Sequence, residues 1–162
     1  MNRDSLEGFF RIFDTTDDQG WCDIGYETCE RIVQSYSDED WNEFIGSVGR
    51  LKLEVHPGVL DILPLVPHQF RLDLLQSLLV HSSDLAWLEA FTELSKMLHG
   101  QPELAKGIFS SAGSKDKFEL AFTAWVNFER STSEDFAAYY RRYCHLIRPE
   151  TQQAYESLSK IT

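Results

Sequence analysis

The amino-acid sequence predicts an all-α fold, a compact bundle of about seven to nine helices joined by short connections. Apolar residues recur at helical spacing along most of the 162 residues. Serines followed by acids, a pattern typical of helix starts, precede several of these stretches. Only one short stretch alternates as a strand would, and no second strand is evident to pair with it. We predict that residues 1–162 form a single α-helical domain.

Three helices are predicted before residue 50. The first is capped by Asp4 or Ser5, and its apolar stripe consists of Leu6, Phe9, Phe10 and Phe13. The second runs from about residue 24 to residue 36, with Cys29 on its inward side. The third begins at Ser37, where three successive acids suit the positive end of the helix dipole, and Gly49 can end it. The apolar stripe of this third helix consists of Trp41, Phe44, Ile45 and Val48.

Residues 50–67 interrupt the helical pattern. Apolar and charged or polar residues alternate from Leu51 to Val55, as they would in a short strand. Three prolines within eleven residues then exclude a long helix; they are Pro57, Pro64 and Pro67. We therefore predict an irregular connector with one short helix near Val59–Leu63.

The rest of the chain returns to helical spacing. The strongest pattern is SSDLAWLEAFTELSKMLHG, which Ser83 can cap and Gly100 can end. The stretch DKFELAFTAWVNFER is apolar on nearly all sides, which predicts the central helix. Further helices are predicted in HQFRLDLLQSLLVH, in QPELAKGIFSSAG, in SEDFAAYYRRYCHLIR and in PETQQAYESLSKI. Ser37, Ser83 and Ser133 open helices at spacings of 46 and 50, which leaves HEAT-like stacked helix pairs as an alternative architecture.

The net charge of −11 is concentrated near the N-terminus. Residues 1–43 contain twelve acids and three arginines, a balance of −9, so the remaining residues carry only −2. A field of this sign repels phosphates and favours a basic protein partner over nucleic acid. A second interpretation is that the charge serves only solubility. No apolar run is long enough to span a membrane, and the first residues lack a secretion signal. Three cysteines do not make a disulfide framework, so the sequence predicts a cytoplasmic protein with reduced thiols.

The stretch RIFDTTDDQGWCDIGYE has the acids and the glycine of a calcium-binding loop but not their spacing. Counted from Asp14, the glycine falls one position late, at Gly20, and position 12 holds Gly25 where a carboxylate is required. We therefore interpret TTDDQG as a turn between helices. Cys22 and Cys29 lie seven residues apart, wider than the pairs that bind zinc. Neither a metal nor a cofactor is predicted.

The stretch YYRRYCHLIR combines aromatic residues with arginines in an otherwise acidic chain. Aromatic residues and arginine are enriched at protein–protein interfaces. They could form a site for a partner or for an anionic ligand, made of Tyr139, Arg141, Arg142 and His145. A different interpretation is internal packing, with the arginines paired to the acidic N-terminal segment. It rests on a stripe of helical spacing made of Phe136, Tyr140, Tyr143 and Ile147. The sequence leaves both interpretations open.

No catalytic motif occurs in the chain. It has no nucleophile elbow, no phosphate-binding glycine loop and no pair of zinc-binding histidines on a helix. Cys144 and His145 are adjacent, and adjacent side chains on a helix point about 100° apart, so they do not face each other. We therefore predict a protein that is not an enzyme.

The charge distribution predicts an acidic α-helical protein-binding module. Its function would be to inhibit a basic partner, as an immunity protein does to a bacterial toxin. Carboxylates would steer the encounter and exposed tryptophans would anchor it; the predicted partner-binding residues are Asp17, Asp18, Trp21, Asp38, Glu39, Asp40 and Trp41. Two alternatives are an adaptor or regulatory subunit of a larger assembly, and a helical domain that binds an anionic ligand.

Overall fold

The structure, a computed structural model, describes residues 8–9, 11–12, 25–111, 114–129, 140–141 and 143–159. Within these ranges every regular element is a helix and no strand occurs, which confirms the all-α fold class. Eight α-helices lie in the described ranges, within the predicted number. They are α1 (Tyr26–Val33), α2 (Asp38–Ser47), α3 (His56–Asp61), α4 (His68–His81), α5 (Asp84–Met97), α6 (Pro102–Ser111), α7 (Ser114–Glu129) and α8 (Pro149–Ser159).

The chain divides into two compact units, Met1–Ser77 and Leu78–Thr162, and the division falls inside α4. We call them the N-terminal unit and the C-terminal unit. The single domain and the HEAT-like pairing both stay predictions. The first predicted helix lies largely outside the described residues, although Gly8, Phe9, Arg11 and Ile12 are helical.

The described core of the N-terminal unit is rich in aromatic rings, and α2 supplies two of them. Trp41 and Phe44 are buried on α2, as the spacing predicts, and Cys29 is buried on α1. The Phe9 ring meets the Phe44 ring edge-on, with 4.9 Å between the ring centres. Trp41 lies against Phe70 at the start of α4, with 6.4 Å between the ring centres. The three-and-four spacing of α2 thus produces one buried stripe, as expected for an amphipathic helix.

The connector at residues 50–67 is more helical than predicted. The short helix α3 begins three residues before the expected start, and 3₁₀ helices flank it at Leu53–Val55 and Leu63–Leu65. Pro57 suits the first turn of α3 because an amide proton at this position would have no partner within the helix, so its absence costs nothing. The alternating stretch is not a strand. With no neighbouring strand to pair with, the Val55 amide donates to the Lys52 carbonyl at 3.0 Å and closes a turn instead.

The C-terminal unit is built from α5, α6, α7 and α8. The helix α7 contacts the other three, which agrees with its predicted central place within this unit. It is not covered on all sides, however, because Leu120 is 71% exposed. On α5, Trp87, Phe91 and Leu94 are fully enclosed.

Polar contacts hold α8 against α5 and α7. The Thr151 hydroxyl donates to the Thr92 hydroxyl at 2.6 Å, and Thr92 donates in turn to the Leu88 carbonyl at 2.8 Å. Both threonines are buried, and these two hydrogen bonds satisfy hydroxyl groups that would otherwise be costly to bury. Arg148, just before α8, pairs with Glu93 of α5 at 2.7 Å. These contacts fix the position of α8, which forms one wall of the cavity described below.

Candidate functional site

The acidic segment, which we define as residues 26–43, covers α1, the loop after it and the start of α2. It contains six carboxylates and one base, Arg31. Four of the carboxylates are exposed and two, those of Glu30 and Asp40, are half-buried. The exposed ones belong to Glu27, Asp38, Glu39 and Glu43.

None of these six carboxylates forms an ion pair with a base in the described part of the chain. The Arg31 Nε donates to the backbone carbonyl of Glu27 at 3.3 Å, and its Nη2 donates to the Thr28 hydroxyl at 3.3 Å. Arg71 donates to the carbonyls of Val66 and Pro64. Both guanidinium groups therefore satisfy neutral oxygens, and the negative charge of the acidic segment is not offset by an ion pair with either of them.

Asp40 has a structural role at the start of α2. Its Oδ2 accepts from the Ser37 hydroxyl at 2.7 Å and from the Ser37 amide at 2.8 Å, while the Asp40 amide donates back to the Ser37 hydroxyl. This reciprocal arrangement is a capping box. The hydrogen bond from the Ser37 side chain, followed by the one from its backbone, lowers the pKa of Asp40. The Asp40 carboxylate therefore stabilises the start of α2, a role that Glu39 beside it does not share.

We expect the capping role of Asp40 to appear in the pH dependence of stability. Its folded-state pKa is below the unfolded value, so the ionised form stabilises the fold above a pH of about 3.9. That contribution is lost as the pH falls through the folded-state pKa. The difference in unfolding free energy between the wild type and Asp40→Asn should therefore shrink in acid, as measured by urea denaturation. Glu39→Gln is the control, and a gap in Glu39→Gln with the same size and pH dependence would contradict the capping role.

The other predicted partner-binding residues have different outcomes. Asp38 is exposed and accepts weak hydrogen bonds from the Gln69 amide at 3.4 Å. Trp41 is only 2% exposed, so its prediction as a surface anchor is wrong. It faces inward because it occupies the first position of the apolar stripe of α2. The remaining three, Asp17, Asp18 and Trp21, lie outside the described residues.

The described residues of the apolar stripe in the tyrosine-arginine stretch pack into the C-terminal unit, and Phe136 lies outside the described residues. Tyr143 and Ile147 are buried, and Tyr140 places its ring 4.9 Å from that of Tyr155. Arg148 pairs with Glu93 of the same unit, so for this arginine the predicted pairing with the acidic N-terminal segment is wrong. The predicted anionic-ligand residues Arg141 and His145 are exposed; Tyr139 and Arg142 lie outside the described residues.

The cysteine and the acidic stretch that were weighed for metal binding have different outcomes. Cys29 is fully buried, and burial raises the pKa of its thiol to about 12, so it is a small core residue and not a nucleophile. Residues 13–24 of the calcium-like stretch lie outside the described ranges. Among the residues that the structure describes, no three His, Cys, Asp or Glu side chains come together to hold a metal ion.

A cavity of about 320 Å³ in the C-terminal unit was not predicted from the sequence. The end of α5, the loop after it, α6 and α8 form its walls. Gly100 in that loop has a φ of 81°, a conformation that favours glycine, and it turns the chain from α5 towards α6. Arg141 and His145, the two predicted anionic-ligand residues that the structure describes, do not line this cavity. Its walls combine residues 95–109 with residues 150–157, which no local pattern joins.

Comparison with known proteins provides no relative for this chain. No protein-family model, no curated protein and no solved structure matches it significantly. Within the described ranges, no helix combines the length and the apolar character that crossing a bilayer requires.

Proposed function

We propose that this chain is an acidic α-helical protein-binding module that inhibits a basic partner, as an immunity protein does to a bacterial toxin. One observation carries the proposal. The acidic segment holds six carboxylates, and its one base, Arg31, donates to a backbone carbonyl and a hydroxyl instead of to a carboxylate. Charge that is left unpaired at a surface is available to a cationic partner.

The carboxylates, and not a tryptophan of α2, would recognise the partner. Because Trp41 is buried, its ring is not available as an anchor. Carboxylates recognise arginine and lysine through short, charge-assisted hydrogen bonds, and the bidentate arginine pair adds geometric specificity. Asp40 already accepts two hydrogen bonds from Ser37. We therefore assign the main contacts to the exposed carboxylates of Asp38, Glu39 and Glu43.

Charge reversal at these three positions tests the proposal. The probe is the basic product of a toxin-like reading frame, if one lies beside this gene. The triple variant Asp38→Lys, Glu39→Lys, Glu43→Lys should weaken binding to it by about 100-fold or more, because each lysine replaces an attraction by a repulsion. Asp40 is kept so that the capping box survives. Affinity is measured by calorimetry, and far-UV circular dichroism checks that the helices are retained.

The matched control reverses three exposed acids outside the acidic segment, namely Asp73→Lys, Glu103→Lys and Asp116→Lys. It changes the net charge by the same amount, and two of its acids also lie in first turns of helices. If both triple variants lose affinity equally, net charge and not the acidic segment is responsible. If neither loses affinity, the acidic segment is outside the interface.

An adaptor or regulatory subunit is the second candidate function. Three large apolar side chains, Val80, Leu85 and Leu120, are more than half exposed in the C-terminal unit, which supports binding through an apolar surface. The dependence of the affinity on salt concentration distinguishes the two candidate functions. The screening length falls from about 30 Å at 0.01 M to about 8 Å at 0.15 M ionic strength, so affinity carried by charge drops steeply over this range. An affinity that stays constant would favour the adaptor.

A further inference from the structure

The cavity of the C-terminal unit has an apolar base and a polar rim. Leu98 and Phe109 are 5% and 4% exposed, and together with Ala105 and Ala154 they supply apolar surface. Its volume of about 320 Å³ lies at the small end of the range for ligand pockets, which is about 300 to 1,000 Å³. A cavity of this size and composition fits a small molecule with an apolar body.

Two opposite charges lie on the rim of this cavity. Lys106 belongs to α6 and Glu150 to α8, and both side chains line it. Both are exposed, and neither forms an ion pair or a hydrogen bond with another described residue. Elsewhere in the same unit such charges do find partners, since Glu93 pairs with Lys96 at 2.6 Å and with Arg148 at 2.7 Å. The rim therefore offers one cationic and one anionic contact at the same time.

We propose that this cavity binds a small zwitterion with an apolar body, of the chemical class of the larger apolar α-amino acids. Its carboxylate contacts Lys106, its ammonium group contacts Glu150, and its side chain lies against Phe109 and Leu98. A zwitterion fits better than a molecule with one charge, because a ligand that covers the rim desolvates both charges. Leaving one of these charges unpaired costs binding free energy.

This proposal is independent of the proposed inhibitory function. Every residue that lines the cavity belongs to Leu78–Thr162, and none belongs to the acidic segment. Loss of toxin binding in the charge-reversal variant therefore does not bear on the cavity. Failure to bind a zwitterion likewise does not bear on the toxin.

The test uses the full chain and three probes that share one apolar body. L-phenylalanine carries both charges, 3-phenylpropionate carries only the carboxylate, and 2-phenylethylamine carries only the ammonium group. Titrations followed by ¹H–¹⁵N correlation spectra should show saturable shifts for the amides of the cavity wall with L-phenylalanine. The dissociation constants of the two single-charge probes should be about tenfold higher or more.

Two variants assign the contacts. Lys106→Met should weaken binding of L-phenylalanine and of 3-phenylpropionate about tenfold. It should tighten binding of 2-phenylethylamine, because Lys106 is the charge that this probe covers and leaves unpaired. Glu150→Gln should show the reverse selectivity between the two single-charge probes. Both side chains are exposed, so both variants should fold, and Glu103→Gln on α6 is the control because this exposed acid does not line the cavity. Absence of saturable shifts with L-phenylalanine at millimolar concentration, or equal affinity for all three probes, would overturn the proposal.

Discussion

Replacing Trp87 by alanine is expected to lower the free energy of unfolding by about 3 to 5 kcal/mol. The side chain is fully buried, and its ring stacks on that of Phe91 with 5.1 Å between the ring centres. Its Nε1 donates to the Leu79 carbonyl at 3.0 Å, which satisfies the one polar atom of the indole. Alanine would leave a cavity of nearly the whole indole volume and would also remove the stacking contact.

Two further variants separate the volume of Trp87 from its hydrogen bond. Trp87→Phe keeps most of the apolar volume, and the Leu79 carbonyl keeps a second donor, the Nζ of Lys117 at 2.8 Å. We therefore expect a smaller loss, on the order of 1 kcal/mol. Leu120→Ala, at a side chain that is 71% exposed, should change stability by less than about 0.5 kcal/mol. Urea denaturation followed by far-UV circular dichroism measures all three, and equal losses for Trp87→Ala and Leu120→Ala would refute the assignment.

The rings around Trp87 also support the proposed ligand cavity. Phe91 stacks on Trp87 on one side and lies 4.7 Å from Phe109 on another. Phe91 also lies 5.6 Å from Phe118, which stacks on Tyr155 of α8 at 4.3 Å. Phe109 lines the cavity, and α8 supplies its other wall. The cavity therefore rests on a cluster of mutually contacting aromatic rings, which preorganises it for binding.

Local chemistry explains why α2 could be predicted from sequence almost to the residue. Ser37 and Asp40 form their capping box within four residues, and the apolar stripe repeats within three turns. Both signals are contained in the helix itself. The connector was less predictable because its alternating pattern suits a strand only if another strand lies beside it. In its absence, backbone hydrogen bonding closed short 3₁₀ turns instead.

The candidate sites were harder to predict because they depend on burial and on distant contacts. Lys106 and Glu150 are 44 positions apart in the sequence and look like ordinary surface charges; only the packing of α6 and α8 brings them to one cavity. Composition indicated the acidic segment, but not that Asp40 would be committed to the helix start. Trp41 is the instructive error. Its place in the apolar stripe predicted burial, whereas the functional interpretation treated it as exposed.

The second large loss of stability is expected for Trp41→Ala, because the side chain is buried. The indole is 2% exposed and meets the rings of Tyr36 at 5.1 Å, Phe44 at 6.0 Å and Phe70 at 6.4 Å between ring centres. Removing it opens a cavity among three aromatic neighbours from three different segments. We expect the free energy of unfolding to fall by about 3 to 5 kcal/mol.

The control for Trp41→Ala is Asn42→Ala, the next residue on α2, whose side chain is exposed. Asn42→Ala should leave stability within about 0.5 kcal/mol of the wild type. Urea denaturation gives the stability of each variant, and calorimetry with a basic partner gives its affinity where the fold persists. Replacing a core residue lowers the stability of the protein first, and the affinity falls only as the folded fraction falls. If Trp41→Ala kept its full stability and lost only affinity, the ring would be an interface anchor and the inward assignment of the α2 stripe would be wrong.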